Sequence, residues 1–179
     1  MAIFMMTGGR WRRALLAIVL LLPTIASAVT PSEESVKAGF VLNFAKYTEW
    51  PAAFMGGGEL KVCWLGPQAL SGKLAELTGA RVQGFVVRGR QVVRPEEWRD
   101  CHVLFIPASE ASRLSAVLGA LTTPTLTVSD SPDFVQSGGM IGLSQRAGRI
   151  RFDVNLAAAH KVRLSLSSQV LKLADEVLQ

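Results

Sequence analysis

The chain has 179 residues, 19 Lys+Arg against 14 Asp+Glu, and only two cysteines and two histidines. Three of the basic residues, Arg10, Arg12 and Arg13, fall in the first 28 positions and no acidic one does, so residues 29–179 carry 16 − 14 = +2 of the formal +5. With so small a surplus and no basic run, a nucleic-acid surface or an anionic-membrane surface is disfavoured.

Arg10, Arg12 and Arg13 are followed by an uncharged apolar run, Ala14 to Ile25, and then by Ala26-Ser27-Ala28, small residues at the positions a signal peptidase reads. That order predicts a cleavable secretory signal over residues 1–28; an uncleaved N-terminal anchor is the competing reading. No Cys follows the run, which argues against a lipoprotein anchor. The expected compartment is the periplasm. Residues 29–179 are long enough for one ordinary domain with a hydrophobic core, and no later apolar run approaches membrane-spanning length.

Thr30-Pro31-Ser32-Glu33 predicts a helix start, with Thr30 as N-cap, Pro31 at the first helical position and Glu33 closing a capping box. The helix is expected to run to about Glu49, with Val36, Phe40, Phe44 and Tyr47 on one stripe, and to end at Trp50-Pro51. Leu60–Leu65 is a short apolar strand and 68–78 a helix. Residues 81–88 and 91–93 are extended pieces separated by Gly89, and Pro95–Trp98 is a single helical turn. His102–Ile106 is a nearly continuous apolar strand, the pattern of a strand covered on both faces. A helix over 109–121 and a strand over 125–128 follow. Ser131-Pro132-Asp133 is expected to cap a short helix stopping at Gly138-Gly139. Residues 140–144 and 149–154 form a β-hairpin, and helices close the chain near 155–161 and over 167–178. Alternation of strands and helices predicts a single α/β domain: a mostly parallel sheet with helices on both faces and a late antiparallel hairpin.

Cys63 and Cys101 each lie at or just before a core strand. In an oxidising compartment an even pair is most simply a disulfide, two buried thiols being the alternative. Redox catalysis is disfavoured without a Cys-x-x-Cys spacing. Catalytic and metal chemistry find no seat. Cys63, Cys101, His102 and His160 lack paired ligand spacing, and His102 at the head of a core strand suits a structural role. There is no Gly-x-Ser-x-Gly elbow, and Gly66, Gly72 and Lys73 do not make a phosphate loop. Asp130 and Asp133 flank a turn after a strand, where open α/β sheets bind ligands, but helix capping explains them as well. Arg151 and Asp153 alternate with Ile150, Phe152 and Val154, as a half-exposed strand does. No catalytic residue, cofactor or metal is expected.

Six segments, in this order, resemble the YfiR-like family of periplasmic proteins: Val36 to Pro51, Val62-Cys63-Trp64-Leu65-Gly66, Cys101 to Ile106, Leu126 to Asp130 with Gly138 to Ile141, Arg151 to Asn155, and Leu166 to Ala174. The resemblance covers nearly all of residues 33–176. It implies a regulator that binds the periplasmic part of an inner-membrane diguanylate cyclase and inhibits it, lowering cyclic di-GMP and biofilm formation. It also implies sequestration by an outer-membrane lipoprotein, and it allows a homodimer. Some members carry a second cysteine pair near the late hairpin, where this chain has Ile141 and Arg149, so redox switching through that pair is not implied here. Partner surfaces use apolar anchors within a polar rim; the candidates are Phe134, Met140, Ile141 and Phe152, with Arg151 or Asp153 at the rim. Ordinary core is the other reading of the four apolar residues. Two other functions compete with inhibition of a cyclase: a periplasmic small-ligand binder using the cleft near Gly66 and Asp130, and an enzyme whose site is scattered.

Overall fold

A computed structural model describes residues 31–179, so the predicted signal over 1–28 and the Thr30 cap lie outside the described residues. The first helix, α1 (Glu33–Lys46), is capped by Ser32, whose Oγ accepts the Ser35 N–H at 3.2 Å, and Pro31 precedes the cap. Glu33 and Glu34 complement the positive end of the helix in its first turn. The helix stops at Lys46, short of the expected Glu49. Gln83 reaches back to donate to the carbonyls of Lys46 (2.7 Å) and Thr48 (3.0 Å). Thr48–Glu49 (β1) is then free to pair antiparallel with Ser165–Leu166 (β9) as a separate two-stranded ribbon.

The main sheet is built from β2 (Glu59–Leu65), β3 (Arg81–Val82), β4 (Phe85–Val92), β5 (Val103–Ile106), β6 (Leu126–Ser129), β7 (Ile141–Arg146), β8 (Arg149–Asn155) and β10 (Glu176–Leu178). Its spatial order is β10-β8-β7-β6-β5-β2-β4-β3. All neighbours are parallel except the hairpins β3/β4 and β7/β8. Both hairpins turn on two residues with positive φ: Gln83 (51°) with Gly84 (87°), and Ala147 (50°) with Gly148 (72°). Such turns match the right-handed twist of the flanking strands.

Two apolar clusters flank the sheet. On one face Leu60, Val62, Trp64, Val103, Phe105, Val128, Ile141 and Phe152 pack beneath α1, α2 (Ala69–Glu76), α5 (Leu156–Lys161) and α6 (Ser168–Leu171). On the other, Cys63, Leu65, Leu104 and Ile106 pack beneath Trp98 of α3 (Pro95–Trp98) and Leu114 and Val117 of α4 (Leu114–Ala120). The predicted α/β layering is therefore the observed one. Cys63 and Cys101 are joined in a disulfide, with Cα atoms 5.9 Å apart and both residues fully buried in the second cluster, where they staple β2 to the entry of β5.

Three local expectations are corrected. Gly89 does not divide two pieces but lies inside β4, because α2 presses on the strand there: a Cβ would meet Thr78 Oγ1, the Leu74 carbonyl and the Trp64 ring at 3.0–3.2 Å. Residues 131–138 form successive turns with no helix, and Asp133 adopts a positive φ of 53° instead of capping one. The end of the chain keeps only the four residues of α6 as helix; Glu176–Leu178 instead pairs parallel to β8, placing Val177 opposite Val154.

Candidate functional site

Strand alternation divides the predicted partner residues between two faces. Phe152 points to the α1 side, where its ring meets Phe44 edge-on at 4.9 Å and Phe40 at 5.7 Å. Its neighbours Arg151 and Asp153 point to the opposite side. Met140 and Ile141 are buried in the α1-side core and Phe134 in the other. The Phe134 ring lies over Gly139, where no Cβ fits. All four apolar candidates are interior side chains, and only Arg151 and Asp153 of the set reach solvent.

Phe152 and Asp153 of β8 each line a surface groove. The first is apolar and about 250 Å³ in volume. Its floor is Phe40, Phe44 and Phe152, its walls are Tyr47 and Val170, and Asn43 and Gln169 supply polar edges. At its lip Leu173 is 72% exposed, more than any other large apolar residue among those described. Part of this groove was visible in the sequence: the stripe of Phe40, Phe44 and Tyr47 reads as core. Its opening was not, because that depends on α6 being one turn long and leaving Leu173 beyond the helix end.

The second groove, about 400 Å³, lies on the opposite face of the sheet, where β7, β8 and β10 have no helix over them. Arg146 Nη2 donates to Asp153 at 3.0 Å and Nη1 to Asp175 at 3.1 Å, and Arg151 bonds Asp175 at 2.9 Å. The alternating strand residues Arg151 and Asp153 thus join a charged ladder whose other members stand elsewhere in the sequence.

The cleft expected near Gly66 and Asp130 exists as the crevice between the carboxyl ends of β2 and β5, from which the chain departs to opposite sides of the sheet. That is where open α/β sheets bind ligands. Here Lys37 of α1 enters it, bonding Asp130 Oδ2 and Glu33 at 2.9 Å each, while Asp130 Oδ1 accepts the Ala108 N–H at 2.9 Å. Burial alone would lower the Lys37 pKa; its bonds to Asp130 and Glu33 outweigh that and hold the ammonium above its ordinary value. Asp130 is a clasp for α1.

His102 is structural, as its position suggested. Its Nδ1 accepts the Lys61 N–H at 3.0 Å and its Nε2 lies 3.2 Å from the Phe54 carbonyl, to which it donates in the neutral tautomer. Desolvation lowers its pKa, outweighing the bond to Phe54, so the ring stays neutral. Among the described residues no three His, Cys, Asp or Glu side chains gather as a metal site, and no helix is long and apolar enough to cross a membrane.

Fold and surface define the class: a disulfide-stapled α/β domain with an open apolar groove and an open charged one. The family is narrower than the class. A model of the YfiR/HmsC-like family matches residues 34–175, and the chain belongs to that family. Its members are periplasmic regulators of diguanylate cyclase, regulatory in role and not catalytic. A search of curated proteins finds no match. Two solved structures share the fold: a conserved domain protein from Vibrio cholerae, 10% identical over 82% of this chain with a TM-score of 0.55, and the ABC domain in complex with L-Trp from Streptococcus pneumoniae, 12% identical over 79% with a TM-score of 0.53. The chain spans 60% of the length of each.

Proposed function

We propose that this protein inhibits an inner-membrane diguanylate cyclase by binding its periplasmic domain, so that cyclic di-GMP and biofilm formation fall. Family membership supports the regulatory role. The observation that carries the binding mode is the aromatic-floored groove with Leu173 at its lip. An interface anchor of the usual kind is an apolar side chain seated in such a pocket within a polar rim, and Asn43 and Gln169 supply that rim. The buried candidate Phe152 acts as floor, not as anchor.

Inhibition by binding requires a stronger grip on the inactive sensor than on the active one. Moving a sensor from an even population to 99:1 inactive takes about a hundredfold preference, about 2.7 kcal/mol. Burial of one leucine- or phenylalanine-sized anchor supplies about 1.5–3 kcal/mol, which is the same scale. On this reading an outer-membrane lipoprotein relieves the block by competing for the inhibitor.

The test is co-expression with a cyclase bearing a periplasmic domain. The wild-type chain lowers cyclic di-GMP, and Leu173→Glu restores it while leaving thermal stability unchanged, as an exposed substitution should. Cyclic di-GMP that stays the same with and without the wild-type chain, the cyclase being expressed, rejects the proposal.

A further inference from the structure

The apolar groove has no charged residue in its lining, yet a lysine stands toward each end of it. Lys46 Nζ lies 5.3 Å from the centroid of the Tyr47 ring, which forms one wall. The Ser167 N–H donates to the Tyr47 carbonyl at 2.9 Å, so α6 starts beside that wall, and Leu173 with its neighbour Lys172 stands past the other end of the helix. Six residues of helical rise put the two ends about 9 Å apart. Both lysines are exposed, and neither has an ion-pair partner among the described residues. The carboxylates nearest in sequence are placed elsewhere: Asp175 bonds Arg146 and Arg151, Glu176 lines the groove on the opposite face, and Glu49 stands in the β1/β9 ribbon.

The size of the groove limits what enters it. A dry cavity of about 150 Å³ accepts one benzene ring. A groove of about 250 Å³, open on one side, therefore accepts one aromatic side chain whose backbone stays outside. The floor rings of Phe40, Phe44 and Phe152, with centroids 4.9–5.8 Å apart, offer faces and edges to a fourth. A second copy of this chain has no such side chain to give: the exposed large apolar residues among those described are Val93 and Leu173, neither of them aromatic. We infer that the groove takes an acidic segment of a partner protein, in which one aromatic side chain fills the groove and carboxylates on either side of it meet Lys46 and Lys172. This rests on the reading of the groove as the docking surface and adds the chemistry of what docks there. Salt screens the charged contacts and spares the apolar one, so binding weakens as salt rises without being abolished.

The experiment titrates an acetylated, amidated pentapeptide, one phenylalanine between two pairs of glutamates, into the ¹⁵N-labelled protein and follows amide shifts at low and high salt. The expected shifts are confined to residues 40–47, 152 and 167–173 and shrink as salt rises. Peptides with alanine in place of the phenylalanine, or lysines in place of the glutamates, should bind at least tenfold more weakly. Lys46→Gln and Lys172→Gln alter exposed side chains. Each should weaken the acidic peptide about two- to fivefold, the range of an exposed ion pair, and the two together about four- to twenty-fivefold, while Lys161→Gln on α5 leaves the affinity unchanged. No binding, shifts outside the groove, equal affinity for the lysine peptide, or indifference to the paired substitution would each overturn the inference. So would shifts that grow with protein concentration without peptide, which assign the groove to a second copy. Loss of the same signals on phosphatidylglycerol vesicles but not with the peptide would overturn it too, and assign the groove to lipid. In the co-expression assay, a paired lysine variant that inhibits like the wild type while Leu173→Glu does not would keep the groove reading and reject the acidic partner. A wild-type chain without effect on cyclic di-GMP rejects the inhibitory role, and the peptide titration then still decides the groove's chemistry by itself.

Discussion

Replacing both Cys63 and Cys101 by alanine removes the only covalent cross-link among the described residues, and the structure sets the size of the effect. The cysteines stand 38 positions apart, so the bond closes a loop of about 39 residues. The chain-entropy expression for such a loop gives about 13 cal/mol/K, or about 4 kcal/mol at 25 °C. Against a total stability of roughly 5–15 kcal/mol that is a large share. For a domain of this size it corresponds to a melting temperature lower by roughly 8–16 °C. Guanidinium titration followed by tryptophan fluorescence measures it directly, and both sulfurs are fully buried, so reductant should act only once the chain has opened. A double variant within about 1 kcal/mol of the wild type would refute the reasoning, since the loop length alone demands more.

Two further predictions concern glycines, one buried and one exposed. Gly139→Ala places a methyl group inside the Phe134 ring and should cost about 1–3 kcal/mol or more, whereas Gly72→Ala in α2, with open space around it, should gain up to about 1 kcal/mol; denaturation midpoints separate the two. The third is a pH dependence. His102 titrates lower when folded than when unfolded, because of burial first and Lys61 second, with the Phe54 bond and Asp100 opposing. Its contribution is thus whole above the ordinary histidine pKa of 6.5 and drains away as pH falls from there through the folded value. Stability measured from pH 7.5 to 5 should fall over that window, and His102→Gln should flatten the fall.

Sequence patterning conveyed the central architecture because β5, and β2 from Val62 to Leu65, are apolar on both faces and bounded by turn residues, which is how covered parallel strands are written, while β6 adds apolar Leu126 and Val128 on one face and buried Thr127 and Ser129 on the other. The C-terminal segment misled for a physical reason. Val170, Leu171, Ala174, Val177 and Leu178 fit a helical stripe, yet Glu176–Leu178 is too short to show a period of its own and is held as strand by pairing with β8. Gly89 likewise marks a close helix contact and not a break. At the surface, alternation around Phe152 was legible as far as Arg151 and Asp153. Arg146 and Asp175, which complete their ladder, are joined to them only by the sheet. The apolar groove was half legible in the α1 stripe, its other half being supplied by a helix end more than a hundred residues away.

The clasp between Lys37 and Asp130 has a consequence for biosynthesis. Synthesis proceeds from the N-terminus, so α1 and its neighbour α2 emerge early, but several of the residues that hold α1 come late: Asp130 is 93 positions on, and Phe152 and Val170 later still. Contacts of such long sequence separation form slowly because the intervening chain must first be ordered. A nascent polypeptide halted before β8 would therefore show Phe40 and Phe44 to solvent, and maturation of the domain waits for its last quarter to arrive.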